Sequence, residues 1–570
     1  MRNILTAVSL VLFTSLYADA QVAKHFDVVI DELLPDPLPQ GGMPTSEFAE
    51  LKNISPSSFD LAGWKLSDGT STAILPHFIL QPDSFVIICS VSAAQLFTPF
   101  GTTLGVSNFP SLNNEADLLY LRSPQNIVIH AVNYSSAWYR NELKKAGGWT
   151  LEMIDTRNPC GGQDNWTASV NPYGGTPGKE NSVASINTDE LAPELVNCFP
   201  TDSMNITLVF SEAIDSMQGA ANINYSISDG LGTPLSAATV GPVFGEVNLR
   251  LNQSLQPNKV YTVTVSNISD CAGNVINSKN SIRFGLPSDA DSLDVVINEI
   301  LFNPRTDGVD YIEIFNRSQK VLDLKQLYIA NRNNTGVISS ITKLKDESRL
   351  FFPGDFILVT ENTDIVQKQY FTNDPNAFLQ VEGIPSFPND KGDVIILNLQ
   401  GDVVDEVKYF DKWHFKLISN TEGVSLERIE YDKPSVQNNF HSAATSAGYG
   451  TPGYKNSQYR RGELFEGEMH INPEVFSPDN DGLDDFLTID YNFPSAGYVA
   501  NVTIFDASGR PVRYLQRNAL SGVKGSYRWD GLGDKQQQLP QGIYIVFTEI
   551  FNTEGRKKQF KNTVVLARRQ

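Results

Sequence analysis

Two stretches of this chain repeat each other for almost the length of a domain, and this duplication restricts the fold more than any other feature. Residues 174–182 are GGTPGKENS and residues 449–457 are YGTPGYKNS. The upstream segments that match, in the same order, include DVVIDELLPDP (27–37) with DVVINEILFNP (294–304), FAELKNIS (48–55) with YIEIFNRS (311–318), and GWTLEMID (148–155) with GVSLERIE (423–430). Because the order is kept over about 160 residues, the pattern indicates a duplicated domain, closed in each copy by Gly-Thr-Pro-Gly.

The duplicated segments have the composition of β-strands. They are short and rich in Val, Ile, Phe and Tyr, and Gly, Pro, Asn and Asp separate them. Long helical periodicity is absent. Short strands at such regular spacing are typical of a β-sandwich, so the sequence predicts an all-β fold for both copies.

The length and charge of the chain narrow its class further. At 570 residues the chain is too long for one hydrophobic core, so about three to five domains are expected. Its 44 basic and 65 acidic residues give a net charge of -21. This balance argues against nucleic acid and anionic membrane surfaces as partners, because the phosphates of both attract clustered Lys and Arg.

Residues 1–20, MRNILTAVSLVLFTSLYADA, have the pattern of a signal peptide. Arg2 precedes an apolar run that ends at Leu16, and Ala-Asp-Ala at 18–20 fits a cleavage site. A membrane anchor is the alternative, but the apolar run is too short, and no later stretch approaches ~20 apolar residues. We therefore expect a secreted or cell-surface protein without a transmembrane segment.

The two copies share acidic and amide residues at matching strand positions. These residues are Glu32, Glu50 and Asn53 in the first copy, and Glu299, Glu313 and Asn316 in the second. Together with the repeated strands and the closing phrase, they make residues 21–188 and 288–460 resemble lamin tail domains. The resemblance implies an Ig-like β-sandwich for each copy.

The paired glutamates could be acid–base catalysts, but their matched places favour structural residues at strand ends that bind backbone amides. A catalytic pair would also need a pocket and partners. The first copy has His130 and Met153 where the second has Asp405 and Arg428, exchanges that an active site would hardly tolerate. No zinc-hydrolase motif, nucleophile elbow or phosphate-binding glycine loop is present. We therefore expect no catalytic residues and no enzymatic activity.

Residues 189–287, between the copies, also alternate in strands and turns. NCFPTDSMNITLVFSEAID (197–215) and NKVYTVTVSNISDCAGNVI (258–276) resemble the frame of a bacterial Ig-like domain. The resemblance implies a third sandwich. The length of about 100 residues suits a fold of seven strands.

The C-terminal residues 461–570 have a different character. Phe-Ser-Pro at 476–478, Gly-Arg at 509–510 and Trp-Asp-Gly at 529–531 resemble FlgD-like and gliding-motility-associated C-terminal domains. The resemblance implies a fourth sandwich, recognised by the type IX secretion machinery as a sorting or anchoring signal. The whole chain is thus expected to contain four tandem Ig-like β-sandwich domains.

The chain has four cysteines, an even number that suggests two disulfides in an exported protein. Pairing within domains gives Cys89–Cys160 and Cys198–Cys271, although the sequence permits three pairings. Their spacings match no zinc pattern.

An acidic loop at 477–485 is the strongest candidate for a metal site. Its alternating oxygen ligands before a glycine resemble those of a calcium loop. The candidate ligands are Ser477, Asp479, Asp481, Leu483 through its carbonyl, and Asp485. Position 12 is Thr488 rather than Glu, so the loop is not an EF-hand. An acidic turn satisfied by its own backbone is the alternative.

The sequence allows three functions. The modular order favours a non-catalytic secreted or cell-surface scaffold or adhesion protein, whose partner is an extracellular protein or glycan. A polysaccharide- or matrix-binding protein is the first alternative, since Trp149, Trp166, Trp413 and Trp529 could stack on sugars, although aromatic residues of sandwiches are more often core. An accessory protein of an extracellular hydrolase or nuclease is the second.

Overall fold

The computed structural model describes residues 22–39, 41–460 and 467–568. The predicted signal peptide lies outside these ranges. The described chain is almost entirely β-structure and divides into two compact units. The first unit contains the residues up to Ser254 together with Tyr261–Arg283, and the second contains Leu255–Val260 together with the residues from Phe284 onward.

The first duplicated domain, in the first unit, is a sandwich of a six-stranded and a four-stranded sheet. Its elements are β1 Val28–Leu34, β2 Phe48–Asn53, β3 Phe59–Asp60, β4 Lys65–Ser67, β5 Thr72–Ile74, β6 Ile79–Leu80, β7 Phe85–Ser90, α1 Ala94–Phe97, β8 Thr103–Val106, β9 Ala116–Arg122, β10 Val128–Ser135, α2 Glu142–Lys145, β11 Leu151–Met153 and β12 Trp166–Ala168. The larger sheet has the order β12-β11-β1-β2-β7-β8, and the smaller has β10-β9-β4-β5. A short pair, β3-β6, completes the domain.

A smaller sandwich follows in the first unit. Its elements are β13 Leu195–Pro200, β14 Asn205–Phe210, α3 Ser216–Gly219, β15 Tyr225–Ile227, β16 Ser236–Thr239, β17 Glu246–Arg250, β18 Tyr261–Val265 and β19 Ser281–Phe284. The two sheets have the orders β13-β14-β17-β16 and β15-β18-β19. Burial alternates residue by residue in β18, as expected when one face of a strand meets the core.

The second duplicated domain, in the second unit, repeats the topology of the first. Its elements are β20 Val295–Leu301, β21 Tyr311–Asn316, β22 Leu322–Asp323, β23 Tyr328–Arg332, β24 Ile338–Lys343, β25 Leu350–Phe351, β26 Phe356–Thr360, α4 Thr363–Gln369, β27 Phe378–Gln380, β28 Lys391–Leu397, β29 Val403–Phe410, β30 Leu426–Arg428 and β31 Phe440–Ser442. Its sheets, β31-β30-β20-β21-β26-β27 and β29-β28-β23-β24, match those of the first copy strand for strand. In both copies the edge strand of the larger sheet is parallel to its neighbour, and a short helix connects them.

The C-terminal sandwich belongs to the second unit. Its strands are β32 Glu468–Asn472, β33 Val475–Phe476, β34 Leu487–Asn492, β35 Val499–Asp506, β36 Pro511–Leu520, β37 Lys524–Trp529, β38 Gly542–Phe551 and β39 Lys557–Leu566. They form the sheets β32-β34-β37 and β33-β39-β38-β35-β36. Aromatic side chains fill its core, among them Phe476 and Trp529, because apolar residues alternate along the long strands. The all-β prediction is therefore confirmed.

Strands β1 and β20 are buried along their whole length. A strand that alternates with one face in water would be buried only at every second residue. Here the inner face packs in the sandwich core, and the outer face is covered by the Gly-Thr-Pro-Gly segment of the same copy. The burial of this outer face creates the site described next.

Candidate functional site: buried glutamates and the closing loops

Three glutamates of the first copy lie side by side across neighbouring strands. Glu32 of β1 pairs with Glu50 of β2 on one side and with Glu152 of β11 on the other. All three have 0% exposure. Three carboxyl groups so close together and out of water require hydrogen-bond donors, protons or cations to be stable.

A β-bulge in β1 adds a fourth acidic residue to this group of glutamates. The register of β1 against β2 shifts between Ile30 and Glu32, so Asp31 is the extra residue. A bulge sets two residues of one strand opposite a single residue of its partner. Asp31 is 1% exposed and therefore belongs to the buried acidic group.

The closing loop, residues 174–182, supplies hydrogen-bond donors to these glutamates. The backbone N–H of Thr176 donates to Glu32 Oε1 at 2.7 Å, and its hydroxyl donates to Glu152 Oε1 at 2.8 Å. The N–H of Gly178 donates to Glu50 Oε2. Each glutamate thus holds the loop that covers it.

The second copy repeats this arrangement with its own loop, residues 449–457. The N–H of Thr451 donates to Glu299 Oε1, and its hydroxyl lies within hydrogen-bond distance of Glu299 Oε2 at 2.8 Å and Glu427 Oε1 at 2.9 Å. The N–H of Gly453 donates to Glu313 Oε2 at 2.6 Å. Glu299 pairs with Glu313 and with Glu427 across the sheet, as the matching residues do in the first copy.

Burial raises the pKa of these glutamates. Desolvation is the largest cause for Glu32, Glu50, Glu299 and Glu313, and neighbouring carboxylates raise the pKa values of Glu32, Glu50 and Glu313 further. Burial likewise raises the pKa of Glu427 to about 8, with Glu299 as the second cause. Burial thus favours the protonated forms of these five carboxyl groups.

The matched asparagines hold a different loop. Asn53 Nδ2 donates to the carbonyl oxygens of Ser57 and Leu80, at 2.7 Å and 3.0 Å. Asn316 Nδ2 donates to those of Lys320 and Phe351, at 2.9 Å and 2.8 Å. In both copies the amide ties the turn after the second strand to the segment that leads into the next sheet strand.

The two copies differ beside the glutamates. In the first copy His130 Nδ1 accepts from the N–H of Ile30 at 2.9 Å, and burial lowers the pKa of His130 to about 4. In the second copy Asp405 Oδ2 accepts from the N–H of Ile297 at 2.8 Å. His130 and Asp405 thus accept from the same backbone donor at the bulge.

Asp405 also requires a cation, which Arg428 provides. The Arg428 Nη2 to Asp405 Oδ2 distance is 2.8 Å, with side-chain exposures of 0% and 2%. Arg428 Nε further donates to the carbonyl oxygen of Ile297 at 2.7 Å. In the first copy a neutral histidine removes the need for a cation, and the apolar Met153 stands in place of the arginine.

The predicted disulfide pairing is wrong. Cys160 is bonded to Cys271, with a Cα–Cα distance of 6.2 Å, and Cys89 and Cys198 are free and buried. The bridge joins a turn of the first duplicated domain to a turn of the smaller sandwich within the first unit. Cys89 packs instead among apolar side chains near Phe48 and Phe97, and behaves as a core residue.

The predicted calcium loop brings three of its five candidate ligands together. Asp479, Asp481 and Asp485 each offer an oxygen within 4.8 Å of the others. Asp485 accepts backbone N–H groups of Asn480 and Gly482, as the alternative acidic turn requires. Ser477 donates its hydroxyl to Asp479, and the side chain of Leu483 is exposed. Calcium binding at this loop stays a prediction.

A second acidic group was not predicted from the sequence. Asp189, Glu212 and Asp270 offer oxygens within 4.8 Å of one another, and two of them line a cavity of about 1240 Å³ in the first unit. Burial, with Asp189 and Asp270 as further causes, raises the pKa of Glu212 to about 8. The three residues come from separate segments, so no local spacing could have indicated the group.

The tryptophans considered for sugar stacking are turned inward. Trp166 and Trp529 are 1% and 0% exposed. Trp149 and Trp413 are partly buried and pack against the cores of the two duplicated domains. Core positions are thus found for Trp166 and Trp529, whereas Trp149 and Trp413 lie at the edges of their cores.

Family models match most of this architecture. The lamin tail domain matches at residues 21–136 and 287–411, and a bacterial Ig-like domain matches at 189–285. The type IX secretion signal domain matches at 469–566. The chain is thus a multidomain protein of Ig-like sandwiches: it carries two lamin tail domains, a bacterial Ig-like domain and a C-terminal type IX secretion signal domain. None of these families is catalytic, and the C-terminal domain identifies a secreted or cell-surface protein.

Solved structures show only distant likeness. The N-terminal part of the bacterial S-layer protein SbsC is 16% identical over 31% of this chain and 42% of that one, with a TM-score of 0.16. The repeat of the extending region of a large adhesion protein is 10% identical over 95% and 98%, with a TM-score of 0.13. PorZ, a surface component of the type IX secretion system of Porphyromonas gingivalis, is 11% identical over 79% and 56%, with a TM-score of 0.14.

The chain spans about half of the length of the S-layer structures that it matches. These TM-scores are too low to support a statement about function. No protein of curated function matches the sequence. Within 22–39, 41–460 and 467–568, no helix is long and apolar enough to cross a membrane.

Proposed function

We propose that this protein is a non-catalytic scaffold or adhesion protein at the cell surface, and that its C-terminal domain directs export or anchoring. The four domains are proposed to occupy residues 21–188, 189–287, 288–460 and 461–570. The two lamin tail domains and the bacterial Ig-like domain would present loops to an extracellular protein or glycan, since loops on rigid sandwiches are common binding sites.

The main support for this proposal is the position of the buried glutamates. The acidic residues that most resemble catalytic pairs hold the closing loop of their own domain, through Thr176 and Gly178 in one copy and Thr451 and Gly453 in the other. A group that acts on a substrate must be able to reach it. These carboxyl groups are buried beneath their own backbone and serve the architecture.

The burial of the tryptophans gives a glycan-stacking function no support of its own. Sugar-binding platforms need exposed aromatic faces, and Trp166 and Trp529 are in cores. Scaffolding is therefore preferred to polysaccharide binding.

The first experiment locates the protein in cells of the native host. A variant lacking residues 464–570 is expected to accumulate in the periplasm, resistant to trypsin, while the full chain reaches the surface. Surface display of the shortened variant at the level of the full chain would contradict the sorting role.

The second experiment tests the non-catalytic role. Cells without the protein are expected to attach less to the host's own matrix, and purified full-length protein is expected to leave DNA, RNA and phosphodiester substrates intact with and without divalent metal ions. Metal-dependent hydrolysis that disappears in the Glu50→Gln variant would contradict the proposal directly.

A further inference from the structure

The first lamin tail domain contains a group of buried oxygen atoms without hydrogen-bond partners. They are both carboxylate oxygens of Asp31, Oε2 of Glu32, Oε1 of Glu50 and Oδ1 of Asn181. The four residues are 1%, 0%, 0% and 6% exposed, in that order. Buried acceptors without donors are rare in native proteins, and a bound ion can satisfy them where they occur. They lie where the bulge of β1 meets the closing loop.

The second lamin tail domain shows what such a group needs. Asn298, which takes the place of Asp31, donates from Nδ2 to Glu313 Oε1 and to Asn456 Oδ1, both at 2.7 Å. Glu313 and Asn456 are the counterparts of Glu50 and Asn181. In the second copy one amide group therefore satisfies the counterparts of two of these oxygens, Glu50 Oε1 and Asn181 Oδ1.

The asparagines of the two closing loops confirm this correspondence. Asn181 Nδ2 donates to the carbonyl oxygens of Asp31 and Met153, each at 3.0 Å. Asn456 Nδ2 donates to the carbonyl oxygens of Asn298 and Arg428, also at 3.0 Å. Because the two amides are held in the same way, Oδ1 of Asn181 faces Asp31 as Oδ1 of Asn456 faces Asn298.

The first copy thus has acceptors where the second has donors. Where the second copy has the amide of Asn298, the first copy has the carboxylate of Asp31. This carboxylate faces a second carboxylate, that of Glu50, and the amide oxygen of Asn181. Burial is the largest cause that raises the pKa of Asp31 to about 7; of the charged groups nearby, Lys52 lowers this pKa, and Glu152 and Glu180 raise it. A positive charge would therefore stabilise this group of acceptors.

We propose that the first lamin tail domain binds a hard divalent cation, of the calcium class, between Asp31, Glu50 and Asn181. Two carboxylates balance the charge of one divalent ion. Carboxylate and amide oxygens, without nitrogen or sulfur, are the ligands that calcium takes in irregular geometry. The cation fills the role of the Asn298 amide in the second copy and fastens the closing loop to β1.

The test compares the full-length mature protein with two reciprocal variants. Asp31→Asn installs the hydrogen-bonding residue of the second copy, so it is expected to fold without the ion. Asn298→Asp creates the acceptor group in the second copy. Calcium chloride is the probe, with EDTA-treated protein as the reference, and binding is followed by titration calorimetry and thermal unfolding.

The wild-type protein is expected to bind one more Ca²⁺ than Asp31→Asn, with a higher Tm in calcium than in EDTA. The acidic loop at 477–485 is intact in both proteins, so any ion that it binds cancels in the difference. Asn298→Asp is expected to gain one calcium ion and a Tm that depends on calcium.

Two results would overturn the proposal. One is equal calcium stoichiometry and an equal Tm response in the wild type and Asp31→Asn. The other is a wild-type protein whose Tm ignores calcium but falls as the pH rises through 7, with Asp31→Asn removing that fall, because a proton shared by Asp31 and Glu50 would then replace the cation.

Discussion

The first and second lamin tail domains fold around the same three-glutamate cluster but surround it with different chemistry. The second copy uses an amide at Asn298 and a buried ion pair, Asp405 with Arg428. The first copy uses a carboxylate at Asp31 and a neutral histidine, His130. Both arrangements supply an acceptor to the same backbone N–H at the bulge. The fold thus constrains the hydrogen-bonding role of a position more strictly than its charge.

The largest effect is expected from breaking the ion pair of the second copy. Arg428→Met installs the residue of the first copy but leaves Asp405 buried without its cation. Such a loss costs about 3–5 kcal/mol. Denaturant unfolding of the full chain measures this loss of stability. Hydrogen exchange shows whether the change lies in β30. The double variant Asp405→His with Arg428→Met copies the first domain and should recover most of the loss; an unchanged loss would show that the two arrangements are not interchangeable.

The second-largest effect is expected from the disulfide, which only the first of the two units contains. Reduction of Cys160–Cys271 is expected to destabilise the first unit by about 2–5 kcal/mol, because the bridge closes a long loop. Hydrogen exchange with and without reductant measures this destabilisation. The second unit contains no cysteine and is the internal control. Equal protection of β13 and β14 in both states would contradict the expectation.

A smaller difference between the two copies is expected when the threonine of each closing loop is replaced. The Thr451 hydroxyl contacts both Glu299 and Glu427, whereas the Thr176 hydroxyl donates to Glu152. Thr451→Val is expected to cost about 1–3 kcal/mol, because it leaves buried carboxyl oxygens without a donor. Thr176→Val is the matched variant and should cost less. Unfolding by urea ranks the two, and the reverse order would be evidence against the assigned contacts.

The smallest effect concerns pH. Glu427 has a folded pKa raised to about 8 from 4.5, so its folded form retains a proton. Its contribution to stability is therefore complete below pH 4.5 and is lost as the pH rises through about 8. We expect a loss of about 1 kcal/mol in the second lamin tail domain from pH 6 to pH 7. Glu427→Gln keeps a neutral polar group and should reduce this dependence, while the raised pKa values of Glu299 and Glu313 preserve part of it. An equal slope in the variant would assign the dependence to other groups.

Much of the fold followed from the sequence, because duplication and strand alternation are local patterns. Two glutamates of each cluster, Glu32 and Glu50 with their counterparts Glu299 and Glu313, were predicted from their repeated places, whereas Glu152 and Glu427 were not. Their partners were not, since Thr176 and Glu32 are distant in sequence and meet only through the sheet register. The cysteine pairing failed for the same reason: the bridge joins turns of two different domains, which no pattern within either domain indicates. The acidic group of Asp189, Glu212 and Asp270 likewise exists only in three dimensions.

In both lamin tail domains, the buried glutamates hold the closing loop of their own domain. Hydrogen-exchange mass spectrometry on Glu313→Ala, with Glu50→Ala as the matched variant, tests this role. We expect at least about tenfold faster exchange in residues 449–457 for the first variant and in 174–182 for the second, since each loses a buried hydrogen bond to the loop and leaves its backbone donor without a partner. Unchanged protection of both loops would show that the glutamates do not hold them.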